Sequence, residues 1–386
     1  MKMDVKQMSL NLHREFKGEI KVEAIIPVTN KEELSLAYTP GVAAPCLEIA
    51  KDKEKAYDYT LKSRSVAVIS NGTAVLGLGD IGASASLPVI EGKALLHKSF
   101  AGTDAYPIAI DTTDKDEIVN IIKAISPGFA GIHLEDIKAP ECFYIEDKLK
   151  EILDIPVYHD DQHGTSISVL AGLYNGLKIV NKNIEDIKVV IDGAGASGIA
   201  IANLLLSAGV KDIVLCDING AIVEGDESLN EAQQNIAKLT NRNFEEGYIE
   251  DLIKNKDVFI GVCVGNVVSI DMVKTMNKDA MVFALANPMP EILPDDAKLG
   301  GARITATGRG DFANQMNNLL VFPGLFKGLL EARIKNITDD MKLEVAKAIA
   351  SLVKDDELTE DYILPSVFNK DIVQAVTEAI IKFKDK

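Results

Sequence analysis

The sequence predicts an α/β protein: an N-terminal α/β domain, then a doubly wound domain built on a parallel sheet, then C-terminal helices. Three observations carry this. Short apolar, β-branched runs recur along the 386 residues. Segments with helical spacing separate them, and one run leads through a glycine-rich turn directly into a helix. A chain of this length exceeds what one hydrophobic core usually supports, so the expected division is 1–165, 166–335 and 336–386.

Taken in order, the N-terminus MKMDVKQMSLNLHREFKGEI is charged throughout and lacks an apolar stretch followed by a cleavage site, so no secretion signal is expected. SVAVIS, YPIAID, FAGIHLED and IPVYHDD read as strands of the first domain, and TDKDEIVNIIKAI has the apolar spacing of an amphipathic helix. GTSISVLAGLYNGLKIV, residues 164–180, carries small residues along its length and is expected to join the two domains. From about 184, IKVVIDG, GASGIAIANLLLSAG and DIVLCDIN form a βαβ pattern. DVFIGVCVG, AMVFALANP and RITATG continue a parallel sheet to about 330, separated by helical or polar segments such as SIDMVKTMNKD. DDMKLEVAKAIASLV and DIVQAVTEAIIKF are amphipathic and are expected to pack on the body or on a partner subunit.

Hydrophobic residues make up 47% and charged residues 26%, and no apolar run approaches the roughly 18 to 20 residues of a membrane span. A soluble protein with no membrane partner follows. The net charge of −17 opposes binding to nucleic acid or anionic lipid. Cys46, Cys142, Cys216 and Cys263 are scattered without a CxxC pair, which suits reduced thiols in a cytoplasmic protein. An acidic substrate would need local cations or a metal to reverse the field inside its site.

Gly193-Ala194-Gly195-Ala196-Ser197-Gly198 follows the strand IKVVIDG and opens a helix. In that context a GxGxxG turn lets backbone approach a pyrophosphate at a helix N-terminus, so a Rossmann-like NAD-binding domain is expected. The hexapeptide alone is weak evidence, but Asp217 ends the next strand about 20 residues on, where a ribose 2′-hydroxyl is recognised. Its carboxylate would repel a 2′-phosphate, which favours NAD over NADP. The plainer alternative is that Asp217 only starts a turn.

Two further strand ends carry paired carboxylates, Glu135-Asp136 and Asp160-Asp161. Either pair alone reads as turn or helix-cap residues. Two pairs at equivalent strand ends shift the balance to hard oxygen ligands for Mg²⁺ or Mn²⁺. Lys93 lies among apolar neighbours that could depress its pKa towards that of a base, although lysines are more often surface charges. Tyr38 precedes a Pro-Gly turn, a place where most tyrosines pack. His13, His97, His133, His159 and His163 show no metal-ligand spacing. His159 and His163 are the ones expected to support the Asp160-Asp161 loop.

Together AYTPGVA, LGLGDIG, EGKALL, GIHLEDI, HDDQHGT, GAGASG, ANP and NNLLVFPG resemble, in this order, the motifs of malic enzymes, over about residues 10 to 380. The resemblance is to the short bacterial-type branch and implies divalent-metal-dependent oxidative decarboxylation of L-malate to pyruvate with reduction of NAD or NADP. It implies Glu135, Asp136 and Asp161 as metal ligands with Asp160 beside them, Lys93 as general base and Tyr38 as general acid. On the same resemblance, Gly193 to Gly198 correspond to the pyrophosphate loop. The resemblance implies that Asn287 contacts nicotinamide ribose and Asn318, with Asn317 the adjacent alternative, the substrate carboxylate. It also implies a homodimer in which protomers share active sites. One departure stands out: Ala74 takes the place where the longer eukaryotic-type branch carries an arginine for a substrate carboxylate.

Overall fold

The computed structural model describes residues 5–75 and 77–384. The first sheet holds β1 (Ser65–Ser70), β2 (Asp104–Ala109), β3 (Gly131–Leu134) and β4 (Val157–His159) in the order β2-β1-β3-β4, all parallel. Helices Ala83–Leu96, Lys115–Ile125 and Glu141–Ile152 make the crossovers. Burial of β1 along its whole length explains why it reads as an apolar run and not as an alternating one. Lys115–Ile125 starts where the Asp114 carboxylate accepts from the backbone N–H groups of Asp116 and Glu117, and it buries Ile118, Val119 and Ile122.

The second sheet holds β5 (Lys188–Asp192), β6 (Asp212–Asp217), β7 (Gly220–Ala221), β8 (Val258–Gly261), β9 (Met281–Ala284) and β10 (Ile304–Thr307). Its order is β10-β9-β8-β5-β6-β7, parallel except for the short β7. Each strand expected here is present. Val189 and Ile191 point into one core and Val190 into the other, so both faces are covered. Within SIDMVKTMNKD only one turn, Ile270–Val273, is helical.

The connecting helix departs from expectation. It runs from Asp160 to Val180, starting where β4 ends, so Asp160 and Asp161 lie in its first turn and not in a loop. Carboxylates are favoured there by the helix dipole. Buried nearly throughout, the helix belongs to one continuous core with Val66 and Val68 of β1, Val189 and Ile191 of β5, and the terminal helices. A division at 165 therefore falls inside a helix, and shared packing, not a linker, joins the two sheets. The helices Phe322–Ala332, Asp339–Ser351 and Ile372–Ile381 pack on this body. By contrast, Val5–Phe16, Lys31–Ala37 and Ala43–Lys51 bury no residue, and Leu10, Phe16, Ile25, Ile26 and Leu36 stand exposed. Among the described residues, no helix is long and apolar enough to cross a membrane.

Candidate active site

The residues after β3 and β4 and the glycine turn after β5 line one crevice of about 880 Å³. It is the ligand position expected at the carboxyl edge of parallel sheets. Glu135 follows β3, and its N–H bonds to the Ile69 carbonyl of β1. Asp136 adopts a left-handed backbone (φ 54°) that turns its N–H onto Asp161 Oδ2 at 3.1 Å. One carboxylate oxygen from each of Glu135, Asp136 and Asp161 lies within 4.8 Å of the other two.

His133, Glu135 and Asp160 form a second, overlapping group. That group already has a cation: Lys93 Nζ lies 3.1 Å from Glu135 Oε1 and pairs with Asp160 Oδ2, whose other oxygen accepts from the Tyr158 hydroxyl at 3.0 Å. The first group offers three hard oxygen donors and fits Mg²⁺ or Mn²⁺ by donor chemistry. Burial and repulsion from Glu135 raise the pKa of Asp161, a crowding of like charge that a cation would relieve.

Lys93 differs from expectation. Burial, the largest influence, lowers its pKa, but the carboxylates of Asp160 and Glu135 outweigh burial and the net shift is upward. Glu135 is in turn held below the usual carboxylate range, because Lys93 and His133 overcome the burial that would raise it. Without positive charge on the neighbouring carboxylates, Lys93 is an ammonium and not a base.

Several supporting residues are not apparent from motifs. Glu146 is buried and accepts from the His159 N–H (3.2 Å), Gln162 Nε2 (3.0 Å) and His163 Nε2 (2.8 Å), with Lys150 Nζ at 2.9 Å. It thereby anchors the start of the connecting helix. His163 supports Asp160 and Asp161 through this carboxylate, whereas the His159 ring is fully buried with neither nitrogen hydrogen-bonded. A signal for Glu146 did exist: it falls on the buried stripe Cys142, Ile145, Glu146, Leu149, where a charge needs partners. Gly164 allows the helix start to close up, since a Cβ there would sit 2.4 Å from Asp160 Oδ1 and 2.6 Å from Asn318 Cβ. Glu291 is fully buried and bridges two loops, accepting from the N–H groups of Cys263 (3.1 Å) and Ala286 (3.1 Å), and burial pushes its carboxyl up to about 7.

On the opposite wall the glycine turn leads into the helix Ala196–Ser207. A Cβ on Gly198 would lie 1.7 Å from the Gly193 carbonyl oxygen, so the turn closes only with glycine there. A Cβ on Gly195 would meet nothing within 4 Å, which leaves open the backbone edge that a pyrophosphate would approach. Ser197 Oγ donates to the Asp161 carbonyl at 2.9 Å and so ties this turn to the carboxylate cluster. Asp217 ends β6 with both carboxylate oxygens engaged. One oxygen accepts from the Asn219 N–H at 2.7 Å, making a turn, and the other accepts from Gln233 Nε2 at 3.2 Å. Gln233 Nε2 also reaches the Ala194 carbonyl at 3.4 Å, which ties Asp217 to the glycine turn.

Asn287, Asn317 and Asn318 line the crevice, as do Ala74 and Lys138, a lysine that motif reading did not single out. Asn317 Oδ1 is engaged in capping, accepting from the Leu319 N–H at 2.8 Å. Tyr38 is not brought to the crevice by its own chain: it ends the helix Lys31–Ala37, 66% exposed. The four cysteines are free thiols, with Cys46 and Cys263 exposed.

A family model described as the malic enzyme N-terminal domain matches residues 17–150, and one described as the malic enzyme NAD-binding domain matches residues 162–384. The chain is 51% identical over 381 residues to a bifunctional malic/malolactic enzyme of Bacillus subtilis (strain 168), a match covering 98% of this chain and 93% of that protein. It is 54% identical over 365 residues to an NAD-dependent malic enzyme of Geobacillus stearothermophilus, covering 95% and 76% of the two. A crystal structure of an NAD-dependent malic enzyme from Thermotoga maritima superposes with a TM-score of 0.93 at 45% identity, covering 97% of this chain and 98% of that one.

Proposed function

The chain belongs to the malic enzyme family, oxidoreductases that oxidatively decarboxylate malate, and we propose that its crevice carries that reaction with NAD as the preferred dinucleotide and Mn²⁺ or Mg²⁺ as cofactor. The observation that carries the residue assignment is the convergence of Glu135, Asp136 and Asp161 in one crevice with the Gly193–Gly198 turn, tied together by Ser197. Glu135, Asp136 and Asp161 would hold the divalent cation, which would supply positive charge for the alcohol and carboxylate of malate and for the charge left by loss of CO₂. With that charge in place Lys93 would be able to take the hydroxyl proton of malate, and a nicotinamide dinucleotide held at the Gly193–Gly198 turn would supply the hydride acceptor. Asp160 holds Lys93 in place. Asn287 and Asn318, with Asn317 alongside, orient nicotinamide ribose and substrate carboxylate. Asp217 accepts from the ribose 2′-hydroxyl, which supports NAD over NADP.

Tyr38 returns a proton to C3 to give pyruvate. It does so from the partner of a cytoplasmic homodimer, a reading supported by its exposure away from the residues that line the crevice and by the exposed apolar side chains of the N-terminal segment. Asp161→Asn tests the assignment: Mn²⁺ binding and malate oxidation fall together, and wild-type Mn²⁺ affinity in this variant would overturn it. A second reading, conversion of malate to lactate with retained NAD, is favoured by the double name of the Bacillus subtilis relative. Assaying lactate beside pyruvate separates the two.

A further inference from the structure

β8 and β9 run side by side, and a hydrogen bond from the Leu285 N–H to the Gly261 carbonyl at 3.0 Å joins them at their carboxyl ends. Continuing that parallel ladder would send the Cys263 N–H across to the backbone beyond β9. It goes instead to Glu291 Oε1 at 3.1 Å, while the Ala286 N–H goes to Glu291 Oε2 at 3.1 Å. The carboxylate thus stands between the two segments where they part. Its Cδ lies 2.3 Å from the place a Cβ on Gly261 would take, so a glycine there makes room for it.

Backbone contacts complete the tie. The Glu291 carbonyl accepts from the Val268 N–H at 3.1 Å and the Pro290 carbonyl from the Asn266 N–H at 3.0 Å, so the segment after β9 is fastened along the segment after β8. Val262 and Cys263 on one side, and Leu285, Ala286 and Asn287 on the other, line the crevice. Glu291 itself is fully buried and is not among the lining residues. Holding a carboxylate out of water with two backbone donors is costly, and direct pairing of the two segments would satisfy those N–H groups at lower free energy. What the carboxylate adds is a fixed gap between the two walls.

We propose that Glu291 is a positioning residue for the nicotinamide end of the site: its two oxygens set the gap between the walls that follow β8 and β9, and thereby hold Asn287 at the cofactor. It touches neither dinucleotide nor malate. The proposal rests on the reading that Asn287 contacts nicotinamide ribose.

Glu291→Gln keeps the shape but turns an NH₂ towards one of the two N–H donors, which releases one wall. At pH 8, where a carboxyl that burial pushes up to about 7 is ionised, kcat falls about 10- to 100-fold, the loss expected when reacting groups shift by about 1 Å. ADP, which stops at the pyrophosphate, binds metal-free wild type and variant alike, and Mn²⁺ binds both alike, whereas a general fault in the fold would weaken both ligands. A double-mutant cycle decides the route. Asn287→Ala lowers kcat by itself, and adding Glu291→Gln lowers it less than about threefold more, because the group being positioned is already gone. Glu291→Asp, whose carboxylate is one methylene short of bridging both N–H groups, gives the same pattern. Wild-type kcat in both Glu291 variants, ADP affinity lost together with turnover, or a full second loss in the double variant overturns the proposal. If Asn287→Ala alone leaves kcat unchanged, the placement of Asn287 at the cofactor fails and the clamp falls with it. If Asn287→Ala lowers kcat and the Glu291 variants do not, only the clamp fails.

Discussion

Lys93→Met removes the ammonium while keeping most of the side-chain stem. In the wild type, Lys93 is 11% exposed, its Nζ lies 3.1 Å from Glu135 Oε1 and pairs with Asp160, and it sits 5.0 Å from the centre of the Phe322 ring. Glu135 and Asp160 are themselves 2% and 0% exposed, so the substitution strands two buried carboxylates with no ammonium between them. Breaking a buried ion pair from one side costs about 3 to 5 kcal/mol. For a chain this long, at roughly 2 °C or less per kcal/mol, the metal-free thermal midpoint falls by up to about 10 °C. Mn²⁺ recovers part of that loss, because it brings positive charge back to Glu135. Malate oxidation falls at least about 10²- to 10⁴-fold, as expected when a proton-transfer group is removed. Lys93→Arg divides the two effects: it keeps the charge and most of the midpoint, yet a guanidinium stays protonated and turnover remains low. Scanning calorimetry with and without Mn²⁺, together with turnover, measures both. An unchanged metal-free midpoint in Lys93→Met, or turnover within tenfold of wild type, refutes the reasoning.

Gly198→Ala forces a Cβ to within 1.7 Å of the Gly193 carbonyl and so opens the turn, and equilibrium NAD binding weakens tenfold or more while Mn²⁺ binding stays near wild type. Glu146→Gln removes the charge that His163 and Lys150 share, costing about 2 to 3 kcal/mol in chemical denaturation and lowering turnover by displacing Asp160 and Asp161. For Glu291 the folded pKa of about 7 lies above the 4.5 of an ordinary glutamate, so the carboxyl's contribution to stability is complete below about pH 4.5 and is lost as pH rises through 7. That loss is on the order of 3 kcal/mol. Glu291→Gln therefore flattens the decline in thermal midpoint between pH 5 and 8, and an equally steep decline in the variant would rule this out.

The strands were legible because parallel strands covered on both faces read as continuous apolar runs, as SVAVIS does in β1. The glycine turn was legible because its chemistry belongs to the backbone and depends on local spacing. Glu135, Asp136, Asp160 and Asp161 could be found as acidic residues following strands, but not the fact that Asp160 opens a helix, since HDDQHGT carries turn-forming residues and helix-start signals together. The protonation of Lys93 was hidden because it is set by Asp160, 67 positions away. His97 and His133 are 36 positions apart and meet only when β3 packs beside the helix preceding β2. Periodicity reports which face of an element is buried; it does not report which polar groups from distant elements meet there. The exposure of Tyr38 was likewise unreadable, since the helix carrying it buries no residue within its own chain.

The most direct measurement follows the nicotinamide absorbance of purified protein with L-malate and Mn²⁺, comparing NAD with NADP and assaying pyruvate and lactate in the same cuvette. Reduced nucleotide forming in equal amount with pyruvate, and faster with NAD than with NADP, is the predicted result. Malate consumed to lactate without net nucleotide reduction, or no reduction with either dinucleotide by folded, Mn²⁺-bound protein, would contradict it.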